Sequence, residues 1–382
     1  MSMLVPILAL AAMIGCTQAS PTAMETTAKP APASDRSPAV EKDSWQAQWE
    51  TVKAAARQES RLVLVSGAAA ALREEGNRIM TQQFGVSLEF TMGLPSEIIP
   101  KVLAERRAGL YTVDIFLTSP PTALGTLKPA GILEPMDKTV FLPEALEPGA
   151  WYNGAFPWVD KEHYLAATLA IPKSPILVNT NLVKPDEIKS YRDLLNPKWK
   201  GRIAMHDPTK AGSGNAWFST MAEGVMGLDF VREFVKQEPV ISRDERLLIE
   251  WVAKEKYPIL VGPKPEIGTE FQRAGALIQL ITPVEGTYVG TSGAAVCLLT
   301  NAPHPNASRL FINWILTKEG GTFLARAYGG QSARVDVPTD FINPVQVRQP
   351  GGKYIDENNE EYARKQNEYQ KVAEDMFRDL LK

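Results

Sequence analysis

The sequence has 382 residues, of which 44% are hydrophobic and 22% charged, and its formal net charge is -3. A chain of this length can bury a large interior and suits two lobes or two domains. The nearly balanced charge gives no general attraction to nucleic acid, so we expect no nucleic-acid partner. Cys16 and Cys297 lie in unrelated contexts, which predicts neither a disulfide framework nor a zinc site.

The N-terminus has the pattern of an export signal. Residues 3–14 are apolar but too short to span a bilayer, and they lead into Cys16. We predict a lipoprotein-type signal peptide over residues 1–16 with Cys16 as the lipidated residue, and simple cleavage near Ala19 as the alternative. Residues 17–43 are rich in Pro, Ala, Ser and Thr, which predicts a disordered tether. The folded part is then expected in the periplasm or on the outer face of the cytoplasmic membrane, touching the membrane only through the lipid anchor.

The first folded half alternates strands and helices. A helix is expected from Ser44, followed by strands at residues 62–65, 86–91 and 114–118, each ending in a loop that contains Ser or Gly. In open α/β sheets, ligands collect beyond the carboxyl ends of the strands. The candidate ligand-binding residues at these ends are Ser66, Gly67, Gly93, Ser96 and Ser119.

A second set of strand-to-helix loops follows in the next part of the chain. Residues 200–218 read as a strand, an Asp207-Pro208 turn, a small-residue loop and a helix start, where unpaired N–H groups suit an anion. Ser242 and Glu245 have the spacing of a capping box at another helix start. The candidate ligand-binding residues here are Asp207, Thr209, Ser213, Gly214, Asn215 and Arg243. Ordinary βα corners and helix caps explain the same residues equally well.

These elements predict an α/β fold of two lobes, each a sheet flanked by helices. The expected lobes are residues 44–165 with 284–330, and residues 166–283 with 331–382, to within about ten residues. An amphipathic helix over residues 360–382 should dock on the body. One helix N-terminus contributes only about 0.3–1 kcal/mol toward an anion, whereas micromolar affinity needs about 8 kcal/mol. The loops of both lobes must therefore act together.

Enzyme templates are not matched. The sequence has no nucleophile elbow, no zinc-protease motif and no phosphate-binding glycine loop, and its histidines are His163, His206 and His304. A triad of Ser213, His206 and Asp207 is disfavoured because neighbours on a strand point to opposite faces. We expect no enzyme, no catalytic residue, no metal site and no cofactor, with a secreted enzyme on the same fold as the remaining alternative.

Three segments carry a family resemblance: EIIPKVLAERRAGLYTVDIFLTSPPT at residues 97–122, YRDLLNPKWKGRIAMHDPTKAGSG at 191–214, and APHPNASRLFINWILTKEGG at 302–321. Together they resemble the bacterial extracellular solute-binding proteins of ABC importers, in the group with ferric-iron-binding members. The likeness spans about residues 44–340. It implies a two-lobed, hinge-closing fold of the type II periplasmic binding proteins, which delivers its solute to an ABC permease of the inner membrane.

The sequence departs from the ferric-binding pattern. Those members use two adjacent tyrosines, commonly with a histidine after the first strand. This chain has no Tyr-Tyr pair, residues 266–271 read EIGTEF, and Ser66-Gly67-Ala68 contains no histidine. We therefore expect the protein to capture a small anionic or polar solute, or a metal chelate such as a ferric one. We also expect it to be a monomer. An exported solute receptor for signalling is the other alternative.

Overall fold

The structure is a computed structural model that describes residues 38–66, 70–91, 95–173 and 175–381. The described residues from Asp43 onward form one compact unit. The predicted signal peptide, with Cys16, lies outside the described residues. The helix expected from Ser44 begins earlier, at Pro38, inside the predicted tether. Proline suits the first turn of a helix because its missing N–H is not needed there.

Twelve α-helices are found in the described part of the chain, and several are extended by π-helical or 3₁₀ turns. They are α1 (Pro38–Glu59), α2 (Ala70–Ile79), α3 (Pro95–Arg107), α4 (Pro120–Thr122), α5 (Pro143–Leu146), α6 (Ser213–Thr220), α7 (Leu228–Val235), α8 (Glu245–Ala253), α9 (Pro265–Arg273), α10 (Pro305–Ile315), α11 (Lys318–Tyr328) and α12 (Glu360–Met376). The π-helical turns are Met80–Phe84, Ala123–Leu127 and Met221–Val225. The 3₁₀ turns are Pro148–Ala150, Tyr191–Leu195, Pro197–Trp199, Pro344–Gln346 and Arg378–Leu381. Over the described residues, no helix combines the length and apolar character needed to cross a membrane.

The described strands form three sheets. They are β1 (Arg61–Ser66), β2 (Ser87–Thr91), β3 (Ile115–Thr118), β4 (Leu133–Glu134), β5 (Ala166–Ala167), β6 (Ile171–Pro172), β7 (Ile176–Asn179), β8 (Ile203–His206), β9 (Val240–Ser242), β10 (Ile259–Val261), β11 (Ile278–Ile281), β12 (Thr287–Gly290), β13 (Ala295–Leu299) and β14 (Tyr354–Asp356). The longer strands agree with the predicted ones.

The first sheet has the order β2-β1-β3-β13-β4, with β5 also paired to β13. Strands β1, β2 and β3 are parallel, so that Leu64 lies opposite Phe90 on one side and Ile115 on the other. Strand β13 returns antiparallel to β3 and contains the buried Cys297. The apolar runs of these strands are buried, as expected for strands covered by helices on both faces.

The second sheet has the order β11-β7-β10-β8-β9. Strands β8, β9 and β10 are parallel to one another, whereas β7 is antiparallel to β10. Trp217 and Phe218 of α6 and Phe234 of α7 fill the core on one face of this sheet. Their complete burial fixes α6 against β8, which positions the loop between them.

A third sheet, β14-β12-β6, lies where the chain crosses between the other two. Strand β6 precedes the second sheet and β12 follows it, so both chain crossings run through this hinge sheet. Strand β14 then adds the C-terminal segment in parallel to β12. These strands were not predicted from the sequence; β6 and β14 have only two and three residues, which is too short for a periodic pattern.

Helix α12 docks as predicted. Its residues Tyr369, Val372 and Met376 pack against the core beside the second sheet. The helix also contacts the first lobe, where Glu360 pairs with Lys128 at 3.2 Å. The predicted lobe boundaries stay predictions, although β5 belongs to the first sheet and residues 333 and 337 pack in the first sheet's core.

Candidate functional site

The carboxyl ends of β8, β9 and β10 share one edge of the second sheet, because these strands are parallel and adjacent. The residues immediately beyond these ends are Asp207, Arg243 and Gly262. Helix α6 starts at the same edge, after the small-residue loop. The structure thus brings together most of the second-lobe residues predicted from the sequence.

Asp207 is the centre of a buried polar group. Its Oδ1 accepts hydrogen bonds from the Thr209 N–H at 2.8 Å and from Thr209 Oγ1 at 2.7 Å. Its Oδ2 accepts from Arg243 Nε at 2.8 Å, and the Arg243 side chain is 68% exposed while that of Asp207 is 2% exposed. Burial pushes the pKa of Asp207 up, but the bonds from Thr209 and Arg243 outweigh it, so the pKa lies below its usual value. Asp207 therefore holds an exposed guanidinium at the sheet edge.

Two of the predicted binding side chains form hydrogen bonds within the loop itself. Thr209 is buried and gives its hydroxyl to Asp207, and Asn215 is buried with its Nδ2 donating to Pro208 O at 3.0 Å. These bonds fix the shape of the loop between β8 and α6.

The start of α6 is held by His206 and depends on a glycine. The Gly214 N–H donates to His206 Nδ1 at 3.0 Å, so in the neutral ring the proton is on Nε2. Burial lowers the pKa of His206 below its usual value, against the opposing effect of nearby Glu245. A Cβ at Gly214 would lie 2.2 Å from His206 O. Only glycine lets the helix start approach the end of β8 this closely.

Glu245 and Lys264 complete the edge. Ser213 Oγ donates to Glu245 Oε1 at 3.2 Å, and Lys264 Nζ lies 2.6 Å from Glu245 Oε2. The Lys264 side chain is 51% exposed and that of Glu245 is 17% exposed. Lys264, Glu245 and His206 were not among the binding residues predicted from the sequence. His206 is the last residue of β8, and Glu245 and Lys264 each lie three residues after a parallel strand, which was the signal that could have found them.

The capping box predicted from Ser242 to Glu245 is wrong. Helix α8 begins at Glu245 with Asp244 as its N-cap, whose side chain accepts from the Leu247 N–H. Ser242 instead remains in β9, where its carbonyl accepts from the Asp207 N–H. Aspartate caps a helix as well as serine does, so the cap moved to the residue outside the strand. This shift frees the Glu245 side chain to reach α6.

Fewer of the predicted binding residues at the first sheet lie in the part of the chain that the structure describes. Ser66, at the end of β1, is buried, with its Oγ 3.3 Å from the Tyr328 hydroxyl. Ser119 follows β3 as the N-cap of α4, and its Oγ donates to Thr122 Oγ1 at 3.0 Å. Gly67 and Gly93 lie outside the described residues. Ser96 is in the first turn of α3, but its side chain is also outside the described part.

The arrangement does not assemble the Ser213, His206 and Asp207 triad. Ser213 Oγ donates to Glu245, His206 Nδ1 accepts from Gly214, and the Asp207 carboxylate is bonded to other groups. Among the residues that the structure describes, no three His, Cys, Asp or Glu side chains converge to hold a metal ion. The edge carries an ammonium, a guanidinium and a hydroxyl, which are groups that can bind anions, together with the carboxylates of Asp207 and Glu245 that they contact.

The family model for "Bacterial extracellular solute-binding protein" matches residues 61–329, which is more than half of the chain. The chain belongs to this family. Members of the family are solute-binding transport components, in agreement with the resemblance predicted from three sequence segments. The family also agrees with export from the cytoplasm, whereas lipidation of Cys16 stays a prediction.

Relatives of this solute-binding protein are recognisable from sequence, and two of them are given. An uncharacterized protein of Haemophilus influenzae is 26% identical over 277 residues, covering 70% of this chain and 76% of that protein. Iron uptake protein A1 of Synechocystis is 21% identical over 272 residues, covering 64% of this chain and 68% of the relative.

Solved structures share the fold at low identity. The Trichodesmium protein IdiA (FutA), in complex with iron and citrate ligands, has a TM-score of 0.63 at 17% identity and covers 84% of this chain and 99% of its own. AfuA of Actinobacillus pleuropneumoniae, with fructose-6-phosphate bound, has a TM-score of 0.62 at 20% identity and covers 81% and 97%. The predicted two-lobed periplasmic-binding-protein fold of this solute-binding protein is thereby confirmed.

Proposed function

We propose that this protein is the substrate-binding component of an ABC importer and that it captures a small anionic solute between its lobes. The observation that carries the proposal is the pair of exposed cations at the edge of the second sheet. Arg243 is held by the buried Asp207, and Lys264 is held by Glu245. A cation anchored by a carboxylate behind it is already oriented when the solute arrives, which lowers the entropy cost of binding.

The free energy of micromolar binding requires several hydrogen-bond donors. Charge-assisted hydrogen bonds contribute about 1.5–3 kcal/mol each, so one such bond from Arg243 and one from Lys264 would supply about 3–6 of the ~8 kcal/mol of micromolar binding. Ser119 would add a hydroxyl from the first lobe, because it follows β3 at the edge that the carboxyl ends of β1, β2 and β3 share. Closure of the lobes then excludes water from these bonds.

The solute class follows from the donor chemistry. Citrate, bound with iron in the Trichodesmium structure, and fructose-6-phosphate, bound in AfuA, both carry negatively charged oxygens. We infer that this protein takes a phosphorylated or multiply carboxylated solute, or a metal as its anionic chelate. The cluster of cations and N–H donors does not suit a bare metal ion.

The test is a thermal-shift and calorimetric screen with sugar phosphates, di- and tricarboxylates and ferric citrate. We expect at least one class to bind with micromolar affinity, and Arg243→Gln and Lys264→Gln each to weaken it about tenfold or more. Lys254→Gln is the matched control, because Lys254 is an exposed cation at the opposite end of α8, where it pairs with Glu250. Equal losses of solute affinity in the control and in the two variants would show that the solute does not bind at this edge.

A further inference from the structure

The carboxylate of Glu245 lies among the groups that the proposed solute needs. Its Oε1 accepts from Ser213 Oγ at 3.2 Å and lies 3.5 Å from His206 Nε2, and its Oε2 lies 2.6 Å from Lys264 Nζ. These contacts join α8 to the start of α6 and to the loop after β10. A negative group from the protein itself therefore fills this donor set.

The position of Glu245 is unusual for its own helix. It is the first residue of α8, where an acidic side chain ordinarily stabilises the N-terminus it belongs to. That role is taken by Asp244, whose side chain caps the Leu247 N–H. The Glu245 carboxylate crosses instead to a residue 32 positions earlier in the chain. No helix-capping requirement explains this crossing.

We propose that Glu245 sets the affinity threshold of the anion site by occupying Ser213 and Lys264 until a solute displaces its carboxylate. This inference rests on the proposed function and describes how binding at the same site is limited. An attached carboxylate competes at a high effective concentration, commonly in the millimolar range for tethered groups. A solute that offers only one carboxylate exchanges one such group for another and gains little.

A solute with more charge or more acceptor oxygens is favoured by the same exchange. A phosphate group offers more acceptor oxygens to Ser213 and Lys264 than the carboxylate that it displaces. The built-in carboxylate thus lowers the apparent affinity of every anion by the same factor, and only anions that bind strongly by themselves displace it.

The experiment compares wild type with Glu245→Gln, using inorganic phosphate and acetate as probes in isothermal titration calorimetry. Glutamine keeps the shape of the side chain but removes its charge. We expect phosphate to bind about tenfold more tightly to Glu245→Gln and acetate affinity to rise by a similar factor, because both anions no longer have to displace a carboxylate. Glu250→Gln is the matched control, since Glu250 is on the same helix and pairs with Lys254 on its exposed side.

A second variant locates the gained binding. Adding Ser213→Ala to Glu245→Gln should remove a large part of the gain, because the freed hydroxyl is one of the donors. Circular dichroism and the melting temperature confirm that each variant is folded. If phosphate and acetate affinities of Glu245→Gln equal those of wild type, or if the control Glu250→Gln shows the same gain, the inference is overturned.

The two proposals fail in different ways. If Arg243→Gln and Lys264→Gln weaken solute binding but Glu245→Gln leaves phosphate and acetate affinity unchanged, the site stands and the role of Glu245 is wrong. If Arg243→Gln and Lys264→Gln have no effect on a bound solute, the site itself is wrong.

Discussion

The carboxylate of Glu357 lies directly against Gly290 at the hinge sheet, and a Cβ added to Gly290 would fall 2.6 Å from Glu357 Oε2. The Glu357 N–H donates to Val289 O at 2.9 Å, which ties the C-terminal segment to β12. Glu357 Oε1 lies 3.3 Å from Thr220 Oγ1 of α6, and Thr220 also bonds to Tyr362 of α12. One acidic side chain thus links a chain crossing to both α6 and α12.

Gly290→Ala should destabilise the protein by about 1–3 kcal/mol, because the added methyl group displaces the Glu357 carboxylate from its contacts. Chemical denaturation measures this loss. In the Glu357→Ala background the same substitution should cost less, since the displaced group is gone. An undiminished cost in the double variant would show that Gly290 is constrained by something other than Glu357.

Stability should depend on pH through Glu357. Burial raises the pKa of Glu357 to about 7, although hydrogen bonds from Tyr362 and Thr220 and attraction to Lys173 act in the opposite direction, while Asp356 adds to the rise. The folded-state pKa is above the unfolded value, so the stabilisation is complete below about pH 4.5 and is lost as pH rises through 7. This pH-dependent stabilisation is at most about 3 kcal/mol.

The measurement is urea denaturation at pH 5.5 and pH 8 for wild type and Glu357→Gln. The variant cannot ionise, so its stability should fall less between these pH values than that of wild type. Parallel curves for the two proteins would assign the pH dependence to other groups.

Gly214→Ala should be severely destabilising, by roughly 3 kcal/mol or more, because its Cβ would lie 2.2 Å from the backbone oxygen of His206, which cannot rotate away. Gly149→Ala is the matched control, since a Cβ there would meet only Glu147 Oε1 at an ordinary 3.7 Å. We expect a melting temperature close to that of wild type for the control. Equal melting temperatures for both variants would contradict the close approach of α6 to β8.

Lys128→Met should cost about 3–5 kcal/mol, because it leaves the buried Asp160 carboxylate without its cation. The same lysine also joins the first lobe to α12 through Glu360. Lys210→Met is the comparison, since the Lys210 pair with Glu374 is exposed and should contribute at most about 1 kcal/mol. The difference between the two variants in urea denaturation checks the prediction, and a cost near 1 kcal/mol for both would refute it.

Local patterns in the sequence were sufficient for the longer strands of the two larger sheets and for the family, but they misplaced the starts of α1 and α8. The alternation of buried strands with helices predicted both parallel edges, and the small-residue loop before α6 identified one wall of the candidate site. Such signals are local, because strand burial, turns and helix capping depend on neighbours within a few residues.

The tertiary structure decided which side chains are available at that wall. Thr209 and Asn215 form hydrogen bonds within their own loop. Lys264 and Glu245, in contrast, form an ion pair at the start of α6 although they come from other elements. The hinge sheet likewise joins β6, β12 and β14 from distant parts of the chain. The sequence by itself determined the elements and the edges at which they end. Only the packed fold decided which charges face each other there, because such pairs form between residues far apart in sequence and leave no periodic signal.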